Sequence, residues 1–263
     1  MEANIRECQM KSNAEWKKWG KTDPLFGVAS WPGRERGGRN PWTDEEFYAL
    51  GGDWHDFDAA WRRTAAYLPG TVLEIGSGAG RITQMLSKTF ERVIATDVSP
   101  DILDYARARI PAQNVSWQLS DGNRIPSADA SVDAVFSCHV FQHFPSNAHQ
   151  LHTFKEIHRV LRNGGTFFIH MSLHVFPQVN GPFTRAARIE YAGFLRLLNI
   201  RAAVRRLLMR MGGTPYQHGV SYEMQPLLID LKNLGFTDLS ISALLVRTGP
   251  GIHCCVSGRK PST

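Results

Sequence analysis

From Thr71 onward the chain alternates short apolar, β-branched runs with stretches of helical periodicity. That alternation constrains the fold more than any other feature. A strand followed by a crossover helix returns parallel to its predecessor, and the helices cover both faces of the sheet. The expected class is therefore α/β with a doubly wound sheet. Strands are predicted near 71–75, 92–96, 115–119, 132–137, 165–171, 238–246 and 252–257, with helices near 80–88, 100–109, 148–161 and 222–234. Ser99 before Pro100 suits the N-cap and first position of a helix. Asn163, Gly164 and Gly165 turn the chain out of the preceding helix into the next strand.

Residues 1–70 differ in composition from the rest of the chain. Trp16, Trp19, Trp31, Trp42, Trp54 and Trp61 are six of the seven tryptophans, and a Gly/Arg/Pro-rich stretch covers 31–41. Residues 42–67 are helical in pattern, with Asp44, Glu45 and Glu46 placed for a helix start. This segment is expected to be a helical cap whose tryptophans act through buried area. The sheet pattern is expected to fill a domain at 71–258, interrupted by a helical insertion at about 180–215.

Charge obeys the same division. The chain of 263 residues carries a formal +6, and residues 183–211 hold seven arginines against Glu190 alone, which accounts for all of it. A neutral body with one basic insertion argues against broad nucleic-acid binding and for local recognition of an anionic or lipid-like small molecule. No apolar run approaches a membrane span, so stable membrane insertion is not expected. The start carries charges throughout and no signal-like core. Cys8, Cys138, Cys254 and Cys255 lack metal-ligand spacing, so no metal is expected, and the compartment is read as reducing and cytoplasmic.

The first strand delivers Glu74-Ile75-Gly76-Ser77-Gly78-Ala79-Gly80-Arg81. Glycines there allow a tight turn and close approach of a ligand. Arg81 occupies the position where a dinucleotide fingerprint requires a small residue, which disfavours a nicotinamide oxidoreductase. Asp97 ends the second predicted strand, where a carboxylate can accept from both hydroxyls of an adenosine ribose. Asp121 and Gly122 end the third, where the carboxylate or the neighbouring amide can read the adenine edge.

These segments, with the Ile102/Leu103/Ala106 helix, Asp133-Ala134-Val135-Phe136-Ser137 and Glu156-Ile157-His158-Arg159-Val160-Leu161-Arg162-Asn163-Gly164-Gly165, resemble the ordered motifs of class I S-adenosylmethionine-dependent methyltransferases of the type 11 pattern. Asn163 stands where such proteins often have proline, a departure confined to a turn. The resemblance implies a seven-stranded Rossmann-like methyltransferase sheet whose last strand is antiparallel. It implies S-adenosyl-L-methionine as cofactor, with Glu74, Gly76, Ser77, Gly78, Gly80 and Arg81 along the methionine portion, Asp97 and Val98 at the ribose, Asp121 and Gly122 near the adenine, and Cys138 after the fourth strand.

A sulfonium methyl is already electrophilic, so the protein must mainly align an acceptor and exclude water; a hydroxyl acceptor also needs a base. His139 and His143 come after the fourth strand, and His170 and His174 after the fifth. His143 is the expected base or acceptor-orienting group, with His139 nearer the cofactor. His149, His152 and His158 are expected to be surface or packing residues of the next helix. The expected function is O-methylation of a small molecule. N- or C-methylation, RNA methylation and a catalytically inactive cofactor-binding subunit stand as alternatives.

Overall fold

The structure is a computed structural model that describes residues 2–174, 220–246, 248 and 252–262. Before the sheet lie α1 (Glu2–Thr22), α2 (Pro24–Val28), α3 (Asp44–Ala49) and α4 (Trp54–Ala65). Then come β1 (Thr71–Ile75), α5 (Thr83–Thr89), β2 (Arg92–Asp97), α6 (Pro100–Arg109), β3 (Val115–Leu119), β4 (Val132–Ser137), α7 (Asn147–Val160) and β5 (Leu161–His170). The chain ends with α8 (Met224–Asn233), β6 (Thr237–Leu245) and β7 (Ile252–Arg259). The arginine-rich segment expected to form two helices within 183–211 lies outside the described residues. Among the described residues no helix is long and apolar enough to cross a membrane.

The seven strands lie in the order β3-β2-β1-β4-β5-β7-β6. Neighbours from β3 to β5 pair in parallel, while β7 runs antiparallel to both β5 and β6. Strand order reverses between β1 and β4, and a crevice opens at the carboxyl ends of strands on either side of such a reversal. The expected doubly wound sheet with an antiparallel last strand is therefore present.

Alternation along the strands divides the core. Leu73, Val135, Phe167 and Val256 share one cluster with Phe154 and Ile157 of α7 and Leu227 and Leu231 of α8. Their neighbours Val72, Ala134, Phe136, Phe168 and Cys255 share the other with Trp54, Phe57 and Trp61 of α4. Trp61 is fully buried, and its ring stacks on Phe136 and Phe168 at 6.1 and 5.7 Å between centroids. The expected action of these tryptophans through buried area takes a particular form on α4. The two tryptophans of α4 belong to the central core, because α4 lies directly on the sheet.

Local differences from the sequence reading have local causes. The helix after the glycine turn begins at Thr83 rather than near 80 because Gly80 holds φ +87°, outside the helical region. β5 begins at Leu161, which pairs with Val132, and the Gly164 amide donates to Lys260 O. Ser99 precedes α6 as expected, yet its side chain makes no capping bond. Its amide donates instead to Asp97, which brings the site residues into the helix start.

Candidate active site

β1 leads into the glycine loop at the strand-order reversal. Gly76 and Gly78 have φ of +70° and +53°, values that an L side chain rarely adopts. The sites where their Cβ atoms would stand are already occupied by Val140 and Val28 respectively. The Ser77 amide donates to Thr96 O at 2.9 Å, tying the loop to β2. Asp97 completes the tie: Oδ2 accepts from Gly78 N at 2.9 Å and Oδ1 from Ser99 N at 3.0 Å. Burial raises the Asp97 pKa, and the amides of Ser99, Gly78 and Val98 oppose that rise. The buried Ser77 hydroxyl has no hydrogen-bond partner among the described residues.

Not every expected loop residue lines this crevice. Gly80 faces Ile110, Trp117 and Ala106, so the third glycine makes room for packing of α6 and β3. Glu74 is buried behind the loop, where Thr83 Oγ1 donates to Oε2 at 2.5 Å. Desolvation pushes the Glu74 carboxyl up to about 7, against the pull of Thr83 and of the Arg81 charge. A carboxyl with a raised folded-state pKa stabilises the fold while protonated and loses that contribution as pH rises through about 7. Glu74→Gln is therefore expected to flatten the pH dependence of stability between pH 5 and 8, and to exceed the native chain by roughly 2–3 kcal/mol at the alkaline end. Urea melts at several pH values measure it; parallel curves for the two proteins would refute the assignment.

At the β3 end the expected reader of the adenine edge is already engaged. Asp121 Oδ1 accepts from the amides of Asn123 and Arg124, both at 2.8 Å, and the Gly122 amide donates to Ser120 Oγ at 3.0 Å. The Asp121 carboxylate thus builds the turn that presents Gly122. α1 lies over this turn: Asn13 Nδ2 donates to Asp121 O at 2.8 Å, and Gln9 Nε2 donates to Asn13 Oδ1 at 2.7 Å. Gln9 fills the space beside Gly122. His149, expected on a surface or in packing, is fully buried with Nε2 at 2.9 Å from Gly122 O.

On the β4 side, Arg81, Cys138 and His139 come together with two histidines from other strands. Arg81 Nη2 donates to Cys138 Sγ at 3.5 Å, and Nη1 lies 3.5 Å from Asp53 Oδ2. His139 has a left-handed backbone, φ +60°, and its amide donates to His170 Nδ1 at 3.2 Å. Non-glycine residues held in this conformation store of order 1–3 kcal/mol and concentrate at functional sites. His170 Nε2 in turn lies 3.2 Å from His253 Nδ1. The amide contact leaves the His170 proton on Nε2, donated to His253. Burial first, then mutual repulsion and Arg81, drives His139 well below its usual pKa and His170 to about 3, and burial lowers His253 as well. All three rings are neutral at physiological pH. Burial pushes the Cys138 thiol up to about 12.

His143 ends a 3-10 turn, Phe141–His143, and meets the edge of Trp16 from α1 at 5.2 Å between ring centroids. It shares the neighbourhood of His139 and His170, whose pKa values it helps to lower. Gln9, Asn13, Trp16 and His253 were invisible as site residues in the sequence. α1 carries no motif, and His253 reaches the cluster only through the antiparallel register that sets Cys255 against His170.

Residues 73–169 match the family described as a methyltransferase domain. A demethylmenaquinone methyltransferase of Deinococcus radiodurans is 31% identical over 143 residues, 51% of this chain and 57% of that protein. A malonyl-[acyl-carrier protein] O-methyltransferase of Hahella chejuensis is 34% identical over 99 residues, 37% of this chain and 34% of that protein. The chain spans between 21% and 57% of the length of curated relatives such as these. In fold, a solved complex of DhpI with SAH aligns over 98% of both chains with a TM-score of 0.54 and 16% identity. With that match over 73–169, the strand order and the glycine loop described above, these residues carry a methyltransferase domain.

Proposed function

We propose that this chain transfers the methyl group of S-adenosylmethionine to a hydroxyl oxygen of a small-molecule acceptor. One arrangement carries the reading: the Asp97 carboxylate bonded to the Gly78 and Ser99 amides, beside two glycines of positive φ and the partnerless, buried Ser77 hydroxyl. A diol can use the remaining lone pairs of Asp97, and a polar methionine end can satisfy Ser77. The residues present thus fit the cofactor, with Asp97 and Val98 at the ribose, Gly76, Ser77 and Gly78 along the methionine portion, and Gly122 near the adenine. Glu74 and Gly80 act as positioning residues of the loop.

When bound, the cofactor supplies an electrophilic sulfonium methyl. Everything else falls to the chain. α1, through Gln9, Asn13 and Trp16, covers the crevice and excludes water. His143 takes the proton of the acceptor hydroxyl. His139 is a weak base because its charged form is strongly disfavoured, and it therefore orients rather than accepts a proton. One of the curated relatives named above is an O-methyltransferase, in keeping with oxygen as the receiving atom. Arginines within 183–211 suit an anionic or lipid-like acceptor. Cysteines 138, 254 and 255 are free, in keeping with a reducing, cytoplasmic setting.

Isothermal titration with S-adenosylmethionine and S-adenosylhomocysteine tests the reading; no heat from either at millimolar concentration removes it. In Asp97→Asn, hydrogen bonds to a charged acceptor worth about 1.5–3 kcal/mol are weakened, so cofactor affinity should fall about 10- to 100-fold. Unchanged affinity would show that Asp97 serves the loop alone.

A further inference from the structure

The cluster of Cys138, His139, His170 and His253 exceeds what methyl transfer requires. One sulfur and two ring nitrogens, from Cys138, His139 and His170, lie within 4.8 Å of one another. The third imidazole, His253, has its ring centroid 5.1 Å from those of both His139 and His170. Imidazoles seldom gather this closely in a partly buried place without a charge or ligand to share. We propose that these side chains form a zinc-class metal site, with Cys138 Sγ, His139 and His170 as ligands and His253 as the group that replaces or orients one of them.

Several independent features favour a metal over a packed histidine cluster. The donor set of one thiolate and two imidazoles suits a borderline-soft divalent ion and matches a zinc site with three protein ligands and one open position. Zinc bonds of about 2.0–2.3 Å bring ligand atoms to roughly 3.5 Å of one another, so the present spread needs a contraction of about 1 Å, within the reach of side-chain rotation. The ligands stand on different parts of the scaffold, two after β4 and one at the end of β5, so the sheet holds their separation. His170 Nε2 and His253 Nδ1 face each other at 3.2 Å, and an ion bound at either nitrogen replaces that hydrogen bond.

The surroundings are also those of a metal thiolate. Arg81 donates to the Cys138 sulfur at 3.5 Å, the kind of outer contact that tunes a ligand and holds its orientation. Asp53 acts electrostatically on Cys138 and would offset part of the ion's charge. A metal takes the thiolate and neutral imidazole forms, so the Cys138 proton passes to solvent on binding. Chain spacing could not announce the site, since Cys138 and His139 adjoin while His170 and His253 come from strands paired late in the chain.

Cobalt(II) added to the full chain, purified with chelator and without S-adenosylmethionine, provides the test. One equivalent should produce a thiolate-to-metal charge-transfer band in the near ultraviolet and the visible bands of a tetrahedral ion, both displaced by zinc. Cys138→Ser should abolish the charge-transfer band, and His170→Gln should weaken binding tenfold or more, whereas Cys254→Ser should leave the spectrum intact. The native chain should also melt at a higher temperature with zinc than with chelator, a readout that survives any variant that fails to fold. Absence of the bands in the native chain, their persistence in Cys138→Ser, or no shift in melting would overturn the proposal. Cobalt binding and cofactor titration fail separately, so the metal site and the methyltransferase reading are judged apart.

Discussion

Replacing His143 by alanine is expected to lower turnover by about 10²- to 10⁴-fold, the usual contribution of a positioned general base. Affinity for S-adenosylmethionine should stay nearly unchanged, because the cofactor residues proposed above follow β1, β2 and β3, whereas His143 follows β4. The geometry behind this expectation is local. Phe141 is fully buried, and Gln150 Nε2 donates to its carbonyl at 2.7 Å, which pins the turn that presents His143. The His143 amide donates to Val140 O at 2.8 Å, and Val140 itself lies against Gly76 of the glycine loop. The imidazole is thus fixed relative to the loop where the methionine portion is proposed to lie, with Trp16 on its edge. His139 cannot replace it as a base, since burial and its histidine neighbours hold it neutral to low pH. Steady-state kinetics with a methylatable acceptor separate the outcomes. A drop in kcat with native cofactor affinity supports the base, a rise in KM alone assigns His143 to orientation, and native kinetics exclude both. His143→Gln, which keeps a side chain against Trp16, distinguishes lost chemistry from lost packing.

Trp61→Ala is expected to destabilise the fold by about 4 kcal/mol, close to a thousandfold in the folding equilibrium. The ring is fully buried and touches aromatic neighbours on three elements: Trp54 of α4 itself, Phe136 of β4 and Phe168 of β5, besides Tyr67 and Phe90. Removing it leaves a cavity at the centre of one sheet face, where the strand backbone cannot collapse to fill the space. Trp61→Phe should recover most of the loss. Urea melts of both variants decide the matter: a Trp61→Ala midpoint within experimental scatter of the native chain would mean that α4 covers the sheet without belonging to its core.

Much of the scaffold was legible because each strand carries its own signal. The β1, β3 and β4 boundaries match the sequence reading, as does α6 from Pro100 to Arg109, since β-branched runs, Pro100 at the first helical position and Ser99 before it are local properties. The glycine loop and Asp97 were legible for a related reason: positive φ and a strand-end carboxylate stem from residue type and position. Glu74 and Asp121 were read as ligand contacts; the contacts their carboxylates make within the chain, Thr83 for the buried Glu74 and the amides of Asn123 and Arg124 for Asp121, carry no signal in the sequence because they depend on the backbone brought beside them. The tryptophans were legible only in part. Composition indicated that Trp54 and Trp61 would be buried, but against which surface depended on the path of α4 over the sheet.

The sequence by itself determined the α/β class, the antiparallel ending expected from the family, the glycine loop and the carboxylate at the end of β2, all consequences of patterns a few residues long. Only the tertiary structure decided that α1 covers the turn at Gly122, that α4 is core, and that Cys138, His139, His170 and His253 share one place. Those facts depend on strand register and helix docking over separations from 31 to 108 residues, where a shift of one residue in β7 would send His253 to the opposite face of the sheet.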